Sequence, residues 1–137
     1  YLRDAHLRPK PRVVEGQLLV QNGVRAAIDV SDGLLSDLWQ ICQKSGVGAR
    51  IHQSQVPAYS LLKSAFPKEY PNLALTGGED YELLFTLDAS LVDRVKSRLK
   101  VPVTVIGEIT KGPVGEVAVL DDKGKEIPYK KRGWSHF

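Results

Sequence analysis

The sequence predicts one α/β domain in which a mixed sheet carries helices on one face. Short runs of bulky apolar residues alternate with stretches in which apolar residues recur every three or four positions. These are the patterns of buried strands and of amphipathic helices. The chain of 137 residues, 42% of them apolar, is long enough to bury one core without disulfides. We expect about five to seven strands and three helices.

The elements are expected in the following order. Residues 1–16 hold Pro9 and Pro11 and lack a period, which predicts an extended lead-in before the domain proper at residues 17–137. A short helix or strand covers residues 18–20. The predicted strands span residues 24–30, 49–53, 81–87, 101–106, 116–120 and 126–128. The predicted helices span residues 34–44, 58–66 and 88–99.

Three of these segments carry more detailed expectations. The helix at 34–44 places its apolar residues on one face, and Gly46 is expected to end it. Residues 81–87 are rich in aromatic and bulky apolar side chains and predict a central strand. Residues 121–124 predict a hairpin turn between the last two strands.

Composition and charge argue against several classes of function. The formal charge is +3, and the excess of Lys and Arg lies near both ends instead of forming a basic stripe, so we expect no nucleic-acid partner. No apolar run approaches the roughly 20 residues that span a bilayer, so we expect no membrane partner. Cys42, the single cysteine, lies in an apolar helical pattern, which favours a core residue in the cytoplasm over a reactive thiol.

The first candidate site is Asp29-Val-Ser-Asp-Gly33, where a predicted strand gives way to a helix. Asp29 and Asp32 offer the carboxylate oxygens that suit Mg²⁺, and the amino terminus of the next helix favours a phosphate group. The alternative is local, with Asp29 ending a strand and Ser31 or Asp32 capping the helix. Gly33 allows the close approach of another segment under either interpretation.

The second candidate site is Thr76-Gly-Gly-Glu-Asp-Tyr-Glu82, a polar turn that leads into the predicted central strand. The adjacent Glu79 and Asp80 are costly to bury without partners. Either they face solvent in a surface turn, or they bind a cation or a cationic group.

The third candidate site is the terminal segment Arg132-Gly-Trp-Ser-His-Phe137. Trp134 either covers the core or offers its indole face to a cationic heteroaromatic ring. His6 and His52 are isolated, and no Cys/His cluster has zinc spacing. The glycine-rich signatures of P-loop and dinucleotide-binding folds are also absent, and no residue is assigned a catalytic role.

Together these motifs resemble the thiamine-monophosphate kinases, which are relatives of aminoimidazole ribonucleotide synthetase. Asp-x-Ser-Asp-Gly is shared by that superfamily, whereas Gly-Gly-Glu-Asp-Tyr-Glu-Leu combined with Gly-Trp-x-His-Phe is more specific to the kinases. Ser135 stands where the kinases more often have Asp. The resemblance covers nearly the whole chain, at residues 6–12, Gly16, and residues 27–34, 74–85, 106–107 and 133–137.

The resemblance implies the fold of a carboxyl-terminal domain of the synthetase type. For a longer protein, it implies a kinase that phosphorylates thiamine phosphate to thiamine diphosphate with ATP and Mg²⁺. On this resemblance Asp29 and Asp32 are Mg²⁺ ligands and Ser31 contacts ATP. Glu79 and Trp134 contact thiamine phosphate.

The resemblance also implies an amino-terminal domain, with most of the metal ligands, that this chain lacks, and a homodimer of the full-length protein. The chain opens without Met in a segment that resembles a linker, so we expect a piece of a longer protein that folds but is inactive alone. One alternative is a domain of another synthetase of the superfamily. The other is a non-catalytic binding or assembly module in which Asp29, Asp32 and Glu79 are solvated turn residues.

Overall fold

The computed structural model describes residues 7–129. The helices are α1 (Val13–Gln21), α2 (Leu34–Ser45), α3 (Ser60–Ala65), α4 (Tyr70–Thr76) and α5 (Val92–Arg98), with short 3₁₀ helices at Gln53–Gln55 and Ala89–Leu91. The strands are β1 (Ala26–Asp29), β2 (Gly48–His52), β3 (Leu83–Thr86), β4 (Gly107–Thr110), β5 (Val117–Leu120) and β6 (Glu126–Ile127). The predicted α/β class is confirmed.

The strands of this part of the chain form two sheets. The larger has the order β4-β2-β5-β6, with β2 antiparallel to β4 and parallel to β5, and β5 antiparallel to β6. β1 and β3 form a separate antiparallel pair, in which Asp29 lies opposite Leu83. The predicted mixed sheet is confirmed, and the β1–β3 pair stands apart from it among residues 7–129.

Helix α2 contacts strands of both sheets and also helix α4. Its apolar face is buried in the main core, which provides most of the hydrophobic stabilisation of the two sheets and this helix. The main core consists of the buried residues Val30, Leu34, Leu38, Ile41, Cys42, Ala49, Ile51, Val56, Leu75, Leu84 and Val119. The helix ends as predicted, because Gly46 takes a left-handed φ of 68°. Cys42 is fully buried on the same face, so its predicted place in the core is confirmed.

Strand β3 lies between two apolar clusters. Leu84 belongs to the main core, whereas Leu83 and Phe85 pack against a second cluster formed by Leu19, Val24 and Val95. Burial on both faces explains the continuous apolar run that predicts a central strand. The prediction that this strand lies in the middle of a sheet is nevertheless wrong, because among the described residues β3 has one neighbouring strand, β1.

Two further predictions of local structure need correction, and one helix is not predicted at all. Helix α1 begins at Val13, inside the predicted extended lead-in, and both prolines lie before it, where they interrupt no helical hydrogen bond. Residues 101–106 form no strand, and β4 follows them at Gly107–Thr110. The sequence does not predict α4, although Pro71 in its first turn is compatible with a helix.

The other predicted elements are confirmed with shifted ends. The helix predicted at 88–99 is a 3₁₀ helix followed by α5, and the one predicted at 58–66 is the shorter α3. The hairpin turn at 121–124 connects β5 to β6 as expected. None of the helices between residues 7 and 129 has the length and apolar character needed to cross a membrane.

Candidate functional site

Two of the three predicted motifs lie side by side, beyond the paired ends of β1 and β3. The Val30 amide donates to the Glu82 carbonyl and the Tyr81 amide to the Val30 carbonyl, each at 2.8 Å. One step further, the Glu79 amide donates to the Ser31 carbonyl at 2.8 Å. The first motif is therefore joined to the second through backbone hydrogen bonds that prolong the β1–β3 pairing.

Glycines allow this close approach. A Cβ atom on Gly33 would lie 2.9 Å from the Thr76 carbonyl oxygen, and one on Gly78 would lie 2.7 Å from the Ser31 carbonyl oxygen. Gly33 also has a φ of 116°, which side-chain-bearing residues rarely adopt. The expectation that Gly33 permits a close neighbour is confirmed.

The turn after β1 is not a conventional helix cap. Gly33 occupies the N-cap position of α2, and no side chain caps the helix there. The interpretation of Ser31 or Asp32 as the capping residue is therefore wrong, whereas Asp29 does end β1. Asp29 is exposed, and Ser31 and Asp32 are half-buried beside it.

The second motif has an unusual backbone. Glu79 and Tyr81 have positive φ values of 67° and 51°, a conformation that is uncommon outside glycine and concentrates at binding and active sites. Glu79 and Asp80 are both exposed, as the surface-turn interpretation expects. The structure thus brings Asp29, Ser31, Asp32 and Glu79 to one rim of the domain, while Trp134 lies outside the described residues.

The charges around this rim are mostly negative. Asp80 is exposed as a whole residue, but neighbouring atoms partly desolvate its carboxyl group, and this effect together with the nearby Glu82 raises the pKa of Asp80. Glu82 is held by Arg12, which donates from Nε at 3.0 Å and from a terminal guanidinium nitrogen at 2.8 Å. This hydrogen-bonded ion pair raises the pKa of Arg12 and ties the segment before α1 to the second motif.

Asp37 belongs to this site as well, although it lies outside all three sequence motifs. It is the one charged side chain that is buried among residues 7–129, with 1% of its surface exposed. Its Oδ2 accepts from the Ser31 amide at 3.0 Å and from the Asp32 amide at 3.1 Å. Desolvation raises the pKa of Asp37 in spite of these two hydrogen bonds, and the nearby Asp32 and Asp29 add to the effect.

A signal for Asp37 is nevertheless present in the sequence. The residue lies three positions after Leu34 and one before Leu38, on the face that the helical period assigns to the core. A carboxylate among apolar residues on one helix face indicates a buried polar partner, here the turn that precedes the helix.

The donor set of the rim fits a hard cation in part. Asp29 and Asp32 provide carboxylate oxygens, which Mg²⁺ prefers, and the amino terminus of α2 favours an anion such as a phosphate. Within residues 7–129, no group of three or more His, Cys, Asp or Glu side chains is placed to hold a metal ion. Two carboxylates that share a metal with phosphate oxygens and water are still a common arrangement for Mg²⁺.

The fold and these motifs define a protein class. A family model described as "AIR synthase related protein, C-terminal domain" matches residues 2–120 of the chain. The chain belongs to this family, as the resemblance of the synthetase-type fold leads us to expect.

Within that class, the chain is similar to thiamine-monophosphate kinases. The thiamine-monophosphate kinase of Buchnera aphidicola subsp. Acyrthosiphon pisum (strain APS) is 42% identical over 141 residues, which cover 100% of this chain and 43% of the relative. The solved structure of AaThiL complexed with AMPPCP and TMP is 34% identical with a TM-score of 0.75, covering 99% of this chain and 41% of the other. Thiamine-monophosphate kinase from Stenotrophomonas maltophilia K279a is 36% identical with a TM-score of 0.75, covering 92% and 39%.

The chain is shorter than its relatives. This chain spans about two fifths of the length of the curated relatives that it matches. The predicted resemblance to thiamine-monophosphate kinases is confirmed along the whole chain.

Proposed function

We propose that this chain is the carboxyl-terminal domain of a thiamine-monophosphate kinase. The full-length protein then transfers the γ-phosphoryl group of ATP to thiamine phosphate and yields thiamine diphosphate. The main support is the hydrogen bond from the Glu79 amide to the Ser31 carbonyl, since it joins the motif assigned to ATP and Mg²⁺ to the motif assigned to thiamine phosphate. Similarity to AaThiL, which is complexed with AMPPCP and TMP, supports the same pair of substrates.

The roles follow from the chemistry of the side chains. Asp29 and Asp32 are the proposed Mg²⁺ ligands of this chain, and bound Mg²⁺ would neutralise charge on the phosphate groups. Ser31, between them, is the proposed ATP contact. Glu79 is the proposed contact to thiamine phosphate, on the other side of the junction, which is the backbone hydrogen bond between residues 31 and 79. Phosphoryl transfer depends mainly on positioning and charge neutralisation, so oxygen ligands on a fixed turn suit it. The assignment of Trp134 to the substrate stays a prediction.

The described part of the chain holds only a portion of such a site. Two carboxylates leave most of a Mg²⁺ shell to phosphate oxygens, water and other protein groups. The relatives are more than twice as long as this chain, which supports an amino-terminal domain as the source of the other groups. We therefore expect the 137-residue chain to be inactive alone. From the resemblance to the kinases and the single buried cysteine, we also propose that the full-length protein is a cytoplasmic homodimer.

The test is the conversion of thiamine phosphate to thiamine diphosphate by the full-length protein with ATP and Mg²⁺, beside this chain alone. Activity is expected only in the full-length form. Asp29→Asn and Asp32→Asn should each remove most of the activity and raise the Mg²⁺ concentration needed for half-maximal rate. Asp122→Asn, in the exposed turn between β5 and β6, is the matched control and should change neither quantity.

Each part of the proposal has its own contrary result. A full-length protein that does not turn over thiamine phosphate contradicts the kinase and favours another synthetase of the superfamily or a binding module. An active protein whose Mg²⁺ requirement is the same in Asp29→Asn, Asp32→Asn and the control contradicts the metal-ligand roles alone.

A further inference from the structure

We propose that Asp37 is a positioning residue: its carboxylate fixes the backbone of the turn that carries Asp29, Ser31 and Asp32. The functional half of this inference rests on the proposed kinase, whereas the structural half does not. Asp37 is far from being a surface acid, because 1% of its surface is exposed and Oδ2 is shared by two backbone amides.

The direction of these hydrogen bonds distinguishes Asp37 from an ordinary acid in the first turn of a helix. An acid that serves its own helix accepts from the free amides of the first turn. Asp37 instead accepts from Ser31 and Asp32, which lie before the N-cap Gly33 and outside the helix. The side chain therefore reaches back from α2 and fixes the turn rather than the helix.

The turn is held on its opposite side as well. The Ser31 amide donates to Asp37, and the Ser31 carbonyl accepts from the Glu79 amide. Gly33 and Gly78 bring the backbones together so closely that added Cβ atoms would meet the facing carbonyl oxygens. The peptide groups on either side of Ser31 are thus fixed between α2 and the second motif.

The carboxylate of Asp37 is costly to bury, and the hydrogen bonds from the Ser31 and Asp32 amides offset that cost. Only 1% of its surface is exposed, and it lies on the face of α2 that carries the buried apolar residues. An apolar residue at this position would extend the core face of α2 without that cost. The acceptor is, however, what fixes the amides of the two residues whose side chains must be aimed at ligand.

Function is sensitive to such placement. A displacement of about 1 Å at a reacting centre is enough for a loss of about a hundredfold in rate. The half-buried Asp32 and Ser31 take their directions from the backbone that Asp37 holds. Loss of the acceptor should therefore affect ligand use by these residues more than the global stability of the domain.

The test compares three variants in the full-length protein. Asp37→Ser removes the two-amide acceptor, because its hydroxyl lacks the reach of a carboxylate. Asp37→Asn is the conservative variant, because it keeps a carbonyl oxygen in the place of Oδ2. Its new NH₂ group takes the place of Oδ1, which now accepts from the side-chain Nε2 of Gln40 at 3.4 Å, and the Gln40 side-chain amide can turn so that its oxygen faces that group. Val95→Ala, in the second apolar cluster, lowers stability without touching the turn and is the control.

Two readouts are measured on each variant. Hydrogen exchange followed by mass spectrometry reports on peptides that cover residues 29–33 and 76–82. Steady-state kinetics report kcat, the KM for ATP and the Mg²⁺ requirement. We expect Asp37→Ser to exchange faster at 29–33 and to lose about ten- to a hundredfold in kcat/KM, with a raised Mg²⁺ requirement. Asp37→Asn should stay within about threefold of the parent.

Exchange and Mg²⁺ requirements in Asp37→Ser that match those of Val95→Ala would overturn the inference and leave Asp37 as a stability residue. A loss in Asp37→Asn as large as in Asp37→Ser would overturn it too, because the charge and not the acceptor would then matter. An inactive parent protein refutes the proposed kinase, and the exchange data still decide whether Asp37 fixes the turn.

Discussion

The backbone amide of Glu79 donates to the backbone carbonyl of Ser31, at 2.8 Å, and no side chain takes part in the bond. The placement of the two candidate ligand residues therefore depends on how closely the two backbones approach each other. Side-chain substitutions that keep the backbones together should leave this junction intact, and substitutions that separate them should open it.

Gly78→Ala is the direct test of this dependence. The new Cβ would lie 2.7 Å from the Ser31 carbonyl oxygen, so the two segments must move apart. We expect a loss of about 1–3 kcal/mol in the free energy of unfolding, the usual cost of forcing atoms into a packed site. The measurement is urea denaturation of the chain, with hydrogen exchange of residues 76–82 as the local readout.

Gly16→Ala is the matched control for Gly78→Ala. Gly16 lies inside helix α1, and its Cβ would have only Leu83 Cδ1 nearby, at 3.9 Å. Alanine is favoured over glycine there, so stability should rise by about 0.5–1 kcal/mol. Equal stability changes for the two glycines would show that the backbones are not in close contact at Gly78.

The Arg12–Glu82 pair should contribute measurably but modestly to stability. Its two hydrogen bonds match the fork of the guanidinium to a carboxylate, but the side chains are 29% and 59% exposed. A double-mutant cycle with Arg12→Ala and Glu82→Ala should give a coupling energy of about 0.5–1 kcal/mol that falls as salt is added.

A second ion pair provides the comparison for that cycle. Arg50 and Glu108 meet through one contact of 3.5 Å, and their side chains are 56% and 64% exposed. Its coupling energy should be close to zero. A coupling for Arg12–Glu82 no larger than for this pair would contradict a tie between the start of α1 and the second motif.

Asp88 should make stability depend on pH at the acidic end. Its Oδ1 accepts from the Ser90 hydroxyl at 2.6 Å and from the Ser90 amide at 2.9 Å, and these hydrogen bonds lower the pKa of Asp88 below its ordinary value of 3.8. Because the folded pKa is the lower one, the contribution is present above pH 3.8 and is lost as the pH falls through the folded pKa.

Two substitutions separate the charge of Asp88 from its hydrogen bonds. Asp88→Asn keeps an acceptor at this N-cap and should hold the 3₁₀ helix at Ala89–Leu91 while removing the acid-side dependence. Asp88→Ala should lower stability at neutral pH as well. Urea denaturation between pH 2.5 and 7 checks both outcomes. If Asp88→Asn loses as much stability at low pH as the parent protein does, other carboxylates cause that loss.

Patterns local to one element are the part of the fold that sequence predicts well. Helix α2 carries both an apolar period and a glycine stop, and each has a direct structural cause. β4 is different, because its position is set by a partner: its pairing with β2 includes Gly107, where a Cβ would overlap the Arg50 backbone, so a glycine permits this close approach. The valine-rich residues 101–106 have the composition of a strand but form none, although the Ile106 carbonyl accepts from the His52 amide at 2.8 Å, next to this pairing.

The candidate site is likewise predictable from the sequence only in part. Asp29, Asp32 and Glu79 are visible as residues because each lies in a short motif with its own chemistry. Their proximity is a consequence of β1 pairing with β3, which no local pattern encodes. Asp37 shows its role only through two amides that precede its helix, so its contribution becomes clear when the turn is seen in three dimensions.

The hydrogen bond between residues 31 and 79 also closes a long loop of chain, which includes α2, β2, α3 and α4. The entropy lost on closing a flexible loop grows only slowly with its length, by about 0.6 kcal/mol for each doubling. Insertions between β2 and α3, or between α3 and α4, would therefore cost little at the junction itself. Longer connections there should leave the spacing between the two candidate turns unchanged.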